Sequence, residues 1–506
     1  MSMSHTLGVL DLVRDGETSL TQQLVDHIAR LIDDGDLAPG SKLPATRTLA
    51  AEASINHLTA VRVYRRLAEL GYAAAAVGRG TFVRRSLPVT AAAADNDDWQ
   101  LAMLAPRTLS YAEEMLRDSL HAPYREDVIA LASGFPSPDL CPSEELAQIA
   151  ADLALEEPRT VTDYLAVEGL AELRERLGEM GRDAGYAQGA DEILVTTGAR
   201  QALDLVARAV LSAGDVAVVE SPTFAGTLAS LQASGARVLA LPVDAGGPDV
   251  GALERILARH EVKLVALQAS CQNPTGADLS PARRERLLEL ARMRGFFILD
   301  DGVYATIRYE GAPLPRLRAA APSHVIYVDS LSKTIGGGLR VGWIAASGPL
   351  FDRLVQLKLD ADIHTAALPQ HLGARYLRDD RHERLLRRVI PIYRRRRDAL
   401  LFALQRHLRD EATWMVPAGG HHVWLTLREP VDERALYAEA LRAGVSFLPG
   451  GAIQAEKTSR TSMRLSFGLL DPDVHDEAAR RLAAALRELR RRGSGRGRGR
   501  VTGALS

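Results

Sequence analysis

Residues 329–340 read DSLSKTIGGGLR, the most informative stretch of the chain. It places Lys333 three residues after Ser330 and seven before Arg340, on a turn of small residues between two apolar runs. Serine hydroxyls and a guanidinium can hold a phosphate, and glycines let the backbone approach a ligand closely. The stretch therefore favours a lysine that reacts with a phosphorylated ligand, although a lysine in a solvated surface loop would also fit this stretch alone.

The composition of the chain bounds what it can be. Of its 506 residues, 46% are hydrophobic and 25% are charged, which is typical of a globular protein with more than one domain. A net charge of −2 gives no general attraction to nucleic acid or membrane, so any such binding must be local. Cys141 and Cys271 lie far apart, which favours a reducing cytoplasm over a disulfide framework. With neither a signal-peptide pattern nor an apolar run that could span a bilayer, we expect a soluble cytoplasmic protein with no membrane partner.

Changes in composition divide the chain into four segments. Residues 1–86 form a compact unit, and residues 87–104 are a linker rich in alanine and aspartate. Residues 105–490 carry a continuous α/β pattern. Residues 491–506 are low-complexity and rich in arginine and glycine, so they are expected to form a disordered basic tail that is either simply solvated or in non-specific contact with phosphates.

Seven short apolar runs recur between helix-length segments of the large unit. Runs of this length, rich in valine and isoleucine, predict an α/β fold with a seven-stranded, mostly parallel, buried sheet. The runs are residues 192–196, 216–220, 237–241, 263–268, 296–300, 324–329 and 341–346. Ligands of such sheets bind beyond the carboxyl ends of the strands, where the polar motifs of this chain fall.

The first unit has the pattern of three helices and a hairpin. A capping box at Ser19 and Gln22 predicts a helix through Ile32, and two further helices are predicted over residues 46–52 and about 57–70. On the third helix we expect an inward face of Val61, Tyr64, Leu67 and Leu70 and an outward face of Arg62, Arg65 and Arg66.

A glycine-rich turn at residues 78–80 predicts the hairpin, so the unit as a whole is typical of a winged helix-turn-helix whose third helix enters the major groove of DNA. A small helical regulatory or dimerisation module would share the pattern. The charge does not decide between them, because residues 1–85 hold ten Lys and Arg against nine Asp and Glu.

Polar motifs follow several of the predicted strands. Residues 196–202 join a strand to a helix whose first N–H groups can bind a phosphate. Phe224 offers an aromatic face, Asn273 can donate to a ring hydroxyl, and Asp301 can pair with a protonated pyridine nitrogen. Each has an ordinary structural explanation. Together, and with Lys333 last in the order, they predict a site for pyridoxal 5'-phosphate.

Residues 39–50 (PGSKLPATRTLA) and 78–83 (GRGTFV) resemble the GntR-type DNA-binding domain. The resemblance implies that polar residues at the starts of the second and third helices and at the wing contact double-stranded operator DNA. These are Thr46, Arg47, Thr59, Arg62 and Gly80. The chain departs from the family at residues 56–58, Asn-His-Leu, where a Ser-Arg-Asn-like run is usual, and this departure bears on operator preference rather than on the fold.

Residues 105–490 resemble the fold-type I aminotransferases, closest to the branch of 2-aminoadipate-type and multi-substrate enzymes. The resemblance implies that Lys333 forms the Schiff base and moves a proton, and that Asp301 pairs with the pyridine nitrogen. It also implies that Tyr304 and Asn273 bond the ring oxygen and that Phe224 stacks on the ring. These roles make Lys333, Asp301 and Tyr304 the catalytic candidates, with no metal.

The same resemblance implies a phosphate site and a carboxylate site. Arg464 would hold the α-carboxylate of a substrate or effector. The phosphate would be surrounded by Gly198, Ala199, Arg200, Ser330, Ser332 and Arg340, joined by Tyr164 from a neighbouring subunit. The chain departs from the pattern at Phe224, Gly337 and the pair His421–His422, for which a structural role and an active-site role both stay open.

A GntR-type head on an aminotransferase-like body resembles the MocR regulators. The resemblance implies a homodimer that binds operator DNA and senses pyridoxal 5'-phosphate or its adduct with an amino acid or amine effector. The alternative is an aminotransferase that acts on an amino acid and a 2-oxo acid and carries an auxiliary DNA-binding head. A purely structural scaffold is disfavoured because the full set of cofactor residues is present.

Overall fold

The computed structural model describes residues 12, 19–33, 36–37, 40–70, 72–76, 80–83 and 111–498. It divides into two compact units, Met1–Thr108 and Leu109–Ser506, which are treated separately. The predicted linker, residues 87–104, lies outside the described residues. Within the described part, no helix is both long enough and apolar enough to cross a membrane.

The first unit consists of three helices and an antiparallel hairpin. They are α1 (Leu20–Asp33), α2 (Thr46–Glu52), α3 (His57–Glu69), β1 (Ala73–Ala76) and β2 (Gly80–Val83). The Ser19 hydroxyl accepts a hydrogen bond from the Gln22 backbone N–H at 3.3 Å, so α1 begins at the predicted cap. Ala76 pairs with Gly80 at the end of the hairpin ladder, and the turn itself, residues 77–79, lies outside the described residues.

The buried face of α3 differs from the predicted one. Tyr64 and Leu67 are buried as expected, but Val61 is 40% exposed and Leu70 is 46% exposed. Because the buried stripe starts at Ala60 and continues at helical spacing to Leu67, Val61 falls on the flank of the stripe. Leu70 is the C-terminal cap residue, beyond the last helical turn. The prediction was therefore wrong at these two positions.

The second unit contains the remaining elements. Its helices of eight or more residues are α4 (Tyr111–His121), α5 (Ser143–Glu156), α6 (Ala171–Ala184), α7 (Ala199–Val210), α8 (Ala225–Ala233), α9 (Val250–Leu257), α10 (Pro281–Arg294), α11 (Pro349–Asp362), α12 (Ala367–Tyr376), α13 (Arg381–Leu408), α14 (Glu433–Arg442) and α15 (Pro472–Arg498). Its strands are β3 (Ile129–Ala130), β4 (Ile193–Thr196), β5 (Val216–Ser221), β6 (Arg237–Asp244), β7 (Gly247–Pro248), β8 (Val262–Leu267), β9 (Phe297–Asp301), β10 (Val325–Ser330), β11 (Gly342–Ala345), β12 (Ala412–Trp414), β13 (His422–Leu427), β14 (Val445–Ser446), β15 (Leu448–Pro449) and β16 (Ser462–Ser466).

The central sheet has the strand order β4-β11-β10-β9-β8-β5-β6-β7. Strands β6, β5, β8, β9 and β10 pair in parallel, whereas β11 is antiparallel to both of its neighbours. The seven predicted strands and the mostly parallel arrangement are confirmed. The eighth strand, β7, was not predicted because its two residues are too short for a periodic signal; it pairs antiparallel with the end of β6.

Both faces of the central sheet are covered, which explains why its strands are continuous apolar runs. Within β5, Ala217 and Val219 join a cluster that includes residues of α7 and α11. Val218, between them, joins a second cluster that includes residues of α9 and α10. Alternate side chains of one strand thus pack on opposite layers, and only the carboxyl ends of the strands are left for polar groups.

A second, antiparallel sheet has the order β12-β13-β16-β15. It aligns His422 with Ser466 and Trp424 with Arg464 across β13 and β16. Since side chains two residues apart share a face, Arg464 and Ser466 lie on the same face of this sheet.

The C-terminal helix α15 is longer than predicted. It extends to Arg498 and so includes the start of the segment 491–506, which the sequence predicts to be a disordered tail. The physical reason is local ion pairing: Glu488 contacts Arg491 and Arg492 one turn later, and Arg492 also contacts Glu439 of α14. Residues 499–506 lie outside the described part of the chain.

Candidate cofactor and effector site

A cavity of about 480 Å³ opens beside the carboxyl ends of the central strands of the second unit. Its lining includes most of the residues that the sequence singles out: Ala199, Arg200, Phe224, Asn273, Asp301, Tyr304, Ser330, Ser332, Lys333, Arg340 and Arg464. Leu116 and Leu120 of α4 and Phe135 add an apolar wall that the sequence did not predict.

Lys333 lies in a single 3₁₀ turn that follows β10. The Ser330 hydroxyl accepts from the Ser332 backbone N–H at 3.1 Å and so shapes this turn. The Lys333 Nζ atom donates to the carbonyl oxygen of Gly134 at 3.0 Å. Burial and, to a smaller extent, the positive charge of Arg464 lower the pKa of Lys333 to about 8, although Asp301 acts in the opposite direction. An amine with this pKa is partly unprotonated near neutral pH and can attack a carbonyl group.

Asp301 ends β9 at the base of the cavity, while its neighbour Asp300 points to the other side of the strand and accepts from the Ala269 N–H at 3.1 Å. The Gln268 amide donates to Asp301 Oδ2 at 2.9 Å and accepts from the Asn273 N–H at 2.5 Å, so it positions two predicted site residues. Burial raises the pKa of Asp301 to about 6. A buried carboxylate of this kind fits a cationic ring nitrogen, which would supply the missing counter-charge.

We expect that Asp301→Asn stabilises the cofactor-free protein while weakening cofactor binding. Folding raises the pKa of the Asp301 carboxyl from its ordinary value to about 6. Burial of this carboxyl therefore does not lower the free energy of unfolding below about pH 4, and it lowers that free energy by the full amount above about pH 6. The advantage of the variant in free energy of unfolding should therefore grow with pH to roughly 3 kcal/mol. Urea unfolding of both cofactor-free proteins across this range measures it, and a difference that does not change with pH would contradict the assignment.

The opposite end of the cavity has the groups that bind a phosphate. The Ser330 and Ser332 hydroxyls lie 2.8 Å apart, and Arg340 donates to Ser332 Oγ at 3.3 Å. Gly198 precedes α7 with a φ of +77°, and a side chain there would collide with the Arg340 guanidinium. This end of the cavity thus brings together two hydroxyls, a guanidinium and the N-terminus of a twelve-residue helix. Such groups fit the phosphate of pyridoxal 5'-phosphate.

Between the Asp301 end and the Ser330 end of the cavity lie three further predicted residues, each with a different set of contacts. The Phe224 ring packs over Gly226, where a side chain would collide with it. The Arg200 guanidinium lines the cavity and donates to the carbonyl oxygen of Gly226. Asn273 accepts from Arg464 Nη1 at 3.3 Å through its side-chain oxygen, which leaves its amide nitrogen for another acceptor.

Arg464 reaches the cavity from the second sheet. It is 6% exposed, donates to the Ala132 carbonyl oxygen at 2.7 Å, and has no ion pair with a carboxylate among the described residues. Burial lowers its pKa to about 10. A buried guanidinium without a protein counter-ion fits a carboxylate supplied by a ligand.

Two predicted residues lie outside the cavity lining. Gly198 stands behind Arg340, as described above. Tyr164 is 80% exposed and its ring lies 5.5 Å from the ring of His364, edge to face. Its predicted contact with the phosphate of a neighbouring subunit stays a prediction.

The cavity also depends on contacts that the sequence did not predict. His422 Nε2 lies 3.0 Å from the Tyr304 hydroxyl, and His422 Nδ1 lies 2.9 Å from the Ser466 hydroxyl. Gln268 positions Asp301 and Asn273, and its only signal in the sequence is a polar residue at the end of an apolar run. The neighbouring His421 is fully buried, and neither of its ring nitrogens has a hydrogen-bond partner in the described part of the chain.

Of the candidate DNA-binding residues, Thr46 and Arg47 begin α2, Thr59 is the third residue of α3, Arg62 lies further along α3, and Gly80 begins β2. Thr46 Oγ1 lies 3.1 Å from His57 Nε2, so the first residues of α2 and α3 are in contact. Asn56 caps α3 by accepting from the Leu58 N–H at 2.8 Å. His57 stands at the middle position of the run 56–58, where the resemblance implies arginine, and the next residue, Leu58, is 65% exposed.

Arg47 and Arg62 are exposed, and Thr59 is half-buried. The Lys42 side chain lies over Gly80, so a further cation stands at the start of the wing strand. The unit therefore presents basic and polar groups at both helix starts and at the wing, which is the surface that a winged helix offers to DNA.

Comparison with known proteins matches both units. Residues 126–482 match the family of aminotransferases class I and II, and residues 20–83 match the gntR family of bacterial regulatory proteins. The 2-aminoadipate transaminase of Thermus thermophilus is 35% identical over 74% of this chain and 94% of its own. The uncharacterized HTH-type transcriptional regulator YisV of Bacillus subtilis is 28% identical over 90% of this chain and 93% of its own.

Among solved structures, the α-aminoadipate aminotransferase LysN of Thermus thermophilus, complexed with N-(5'-phosphopyridoxyl)-L-leucine, is similar with a TM-score of 0.70 and 34% identity. The match covers 74% of this chain and 95% of that chain.

Proposed function

We propose that the chain, which belongs to the aminotransferase class I and II family, is a pyridoxal 5'-phosphate-dependent, DNA-binding transcription regulator. A gntR-family domain precedes the aminotransferase domain, and this order is the MocR-type architecture. The proposal is carried by the presence, on one chain, of an exposed basic surface at the starts of α2 and α3 and of the buried Lys333–Asp301–Arg464 cavity. The proposed regulator senses pyridoxal 5'-phosphate, or an amino compound bound together with this cofactor. It acts in the cytoplasm, where its operator DNA lies.

Different residues of the cavity bind different parts of the cofactor and of the effector in this proposal. Pyridoxal 5'-phosphate supplies an aldehyde that reacts with amines and a ring that withdraws electrons. Ser332 and Arg340 would hold its phosphate, and Asp301 would pair with its ring nitrogen. Lys333 would supply the amine that holds its aldehyde carbon, and Arg464 would bind the carboxylate of an effector whose amine competes for that carbon.

A homodimer fits both halves of this proposal. Winged helix-turn-helix proteins that dimerise read two half-sites of one operator, so a two-fold axis of the protein matches a two-fold axis of the DNA. The exposed Tyr164 ring is available to the cavity of a second copy.

We expect an amino compound to change operator binding only when the cofactor is bound. A ligand shifts DNA affinity only through unequal binding to two states of the protein, and couplings of this kind are typically at least about fivefold. Binding to the upstream DNA of its own gene is measured with and without pyridoxal 5'-phosphate, with each protein amino acid and with 2-aminoadipate. The effect should disappear in Arg464→Ala and persist in Arg255→Ala, a matched control in which an exposed arginine of α9 is removed.

The alternative, an aminotransferase with an auxiliary head, is favoured by one observation. Arg464 is buried and without a protein carboxylate among the described residues, and the 2-aminoadipate transaminase of Thermus thermophilus is 35% identical over 74% of this chain. Steady transfer of amino groups from an amino acid to a 2-oxo acid over many turnovers, without sequence-specific DNA binding, would establish the enzyme and exclude the regulator.

A further inference from the structure

We propose that His422 is a positioning residue that directs the hydroxyl proton of Tyr304 into the cofactor cavity. The proposal rests on the cofactor site described above and goes beyond it, because it assigns a role to a histidine for which the motifs provide none. The structural basis is a chain of three side chains, Ser466–His422–Tyr304, joined at 2.9 Å and 3.0 Å.

The three side chains are brought together by the second sheet and the loop after β9. His422 begins β13 and is aligned with Ser466 at the end of β16. All three residues are buried, at 2% exposure or less. A side chain at Gly134 would lie 2.7 Å from the His422 ring, so this glycine leaves room for the imidazole beside Lys333 and Arg464.

The count of donors and acceptors decides which way the protons point. Burial and the positive charge of Arg464 lower the pKa of His422 well below its usual value, so the ring is neutral and has one N–H and one acceptor nitrogen. Among the described residues, the Ser466 hydroxyl has no second acceptor within hydrogen-bond distance. It is satisfied as a donor only if it donates to His422 Nδ1.

His422 Nε2 then carries the proton and donates to the Tyr304 oxygen. The hydroxyl proton of Tyr304 is thereby left free for an acceptor in the cavity. An oxygen that accepts one hydrogen bond is also a stronger donor to the next group, because hydrogen bonds in a chain polarise each other. The opposite arrangement would direct the tyrosine proton to His422 and leave the Ser466 proton without an acceptor.

The other charged and titratable groups around Tyr304 and His422 act on both tautomers of His422 and do not select one of them. The titratable and charged groups that face Tyr304 and His422 are Arg464, Lys333, Asp301, Tyr393 and His421. Burial lowers the pKa of His421 to about 3, so this second imidazole is neutral as well. It lies beside the Tyr304 ring, with the ring centroids 5.5 Å apart, and has no hydrogen bond to it.

The consequence for the bound cofactor is measurable without DNA or turnover. With the cofactor bound, a hydrogen bond donated by Tyr304 to its phenolic oxygen would lower the proton affinity of the nitrogen contributed by Lys333. Removing the support of His422 should therefore raise the pH midpoint of the visible absorption band. The expected shift is about half a pH unit to one pH unit, which corresponds to the net contribution of one hydrogen bond.

The experiment compares pH titrations of the absorption of the cofactor-loaded protein. His422→Leu should shift the midpoint upward, and His422→Gln, whose amide can again donate to Tyr304, should restore it. His421→Leu is the matched control, an adjacent and equally buried imidazole without a hydrogen bond, and should leave the midpoint unchanged. In a Tyr304→Phe background, His422→Leu should cause no further shift, because the effect passes through the tyrosine.

An unchanged midpoint in His422→Leu, or a shift that persists in the Tyr304→Phe background, would overturn the inference and leave the proposed regulator intact. A wild-type protein that takes up no cofactor would overturn both. A normal titration series in a protein that binds no operator would support the role of His422 and exclude the regulator.

Discussion

Lys333→Ala should abolish covalent attachment of pyridoxal 5'-phosphate while leaving the protein folded. The Lys333 side chain lines the same cavity as Asp301 and Arg464, and its lowered pKa makes it a nucleophile near neutral pH. Borohydride reduction of the cofactor-loaded wild type should fix one cofactor per chain, detected by mass spectrometry, and fix none in the variant.

The variant should keep its stability, since burial already makes the charged form of this lysine unfavourable in the folded state. Thermal unfolding of the cofactor-free proteins should give the same or a higher melting temperature for Lys333→Ala. Lys263→Ala removes a half-exposed lysine that pairs with Asp215, and as a matched control it should retain the reducible attachment. Retention of the attachment in Lys333→Ala would mean that a different lysine reacts.

The double variant Arg47→Ala, Arg62→Ala should lose most of its specific affinity for operator DNA. Both arginines are exposed near the touching starts of α2 and α3. An arginine that reads a base is worth about 1–3 kcal/mol, so two of them together account for at least about a thirtyfold change in Kd. Fluorescence anisotropy with operator and unrelated duplexes measures the loss.

Single variants separate the two kinds of contact. Loss of a base contact relaxes specificity at one position of the operator, whereas loss of a phosphate contact weakens all sequences alike and reduces the salt slope by about one. Arg30→Ala, which removes an exposed charge from α1 instead, is the matched control and should change little. Unchanged binding by the double variant would contradict the assignment of this surface to DNA.

The sequence predicts the central sheet well because its physical signal is local. Each strand is buried on both faces, as Ala217, Val218 and Val219 illustrate, and is therefore a continuous apolar run. The two-residue strand Gly247–Pro248 has no such run, and its pairing with β6 depends on the tertiary structure. On α3, Val61 was assigned to the wrong face because positions one residue apart are hard to separate near the edge of a narrow stripe.

The candidate site could be predicted as far as motifs follow strands. Asp301 stands directly after an apolar run, and Asn273 and Lys333 lie in the loops that follow two other runs, where a parallel sheet binds its ligands. The contact between Tyr304 and His422 joins residues 118 positions apart, one in the loop after β9 and the other on the second sheet, and no periodic pattern encodes it. The same is true of the engagement of Arg200 with Gly226, which depends on how α7 and α8 begin side by side.

Arg464 stands on one sheet and Lys333 follows a strand of the other. Under the proposed function, an effector whose carboxylate binds Arg464 and whose amine replaces Lys333 is a molecular spacer between the two sheets. Its length then fixes their separation. An α-amino acid and a longer amino acid with the same two charged groups would hold the sheets at different spacings, so the signal would be encoded in a length rather than in a charge.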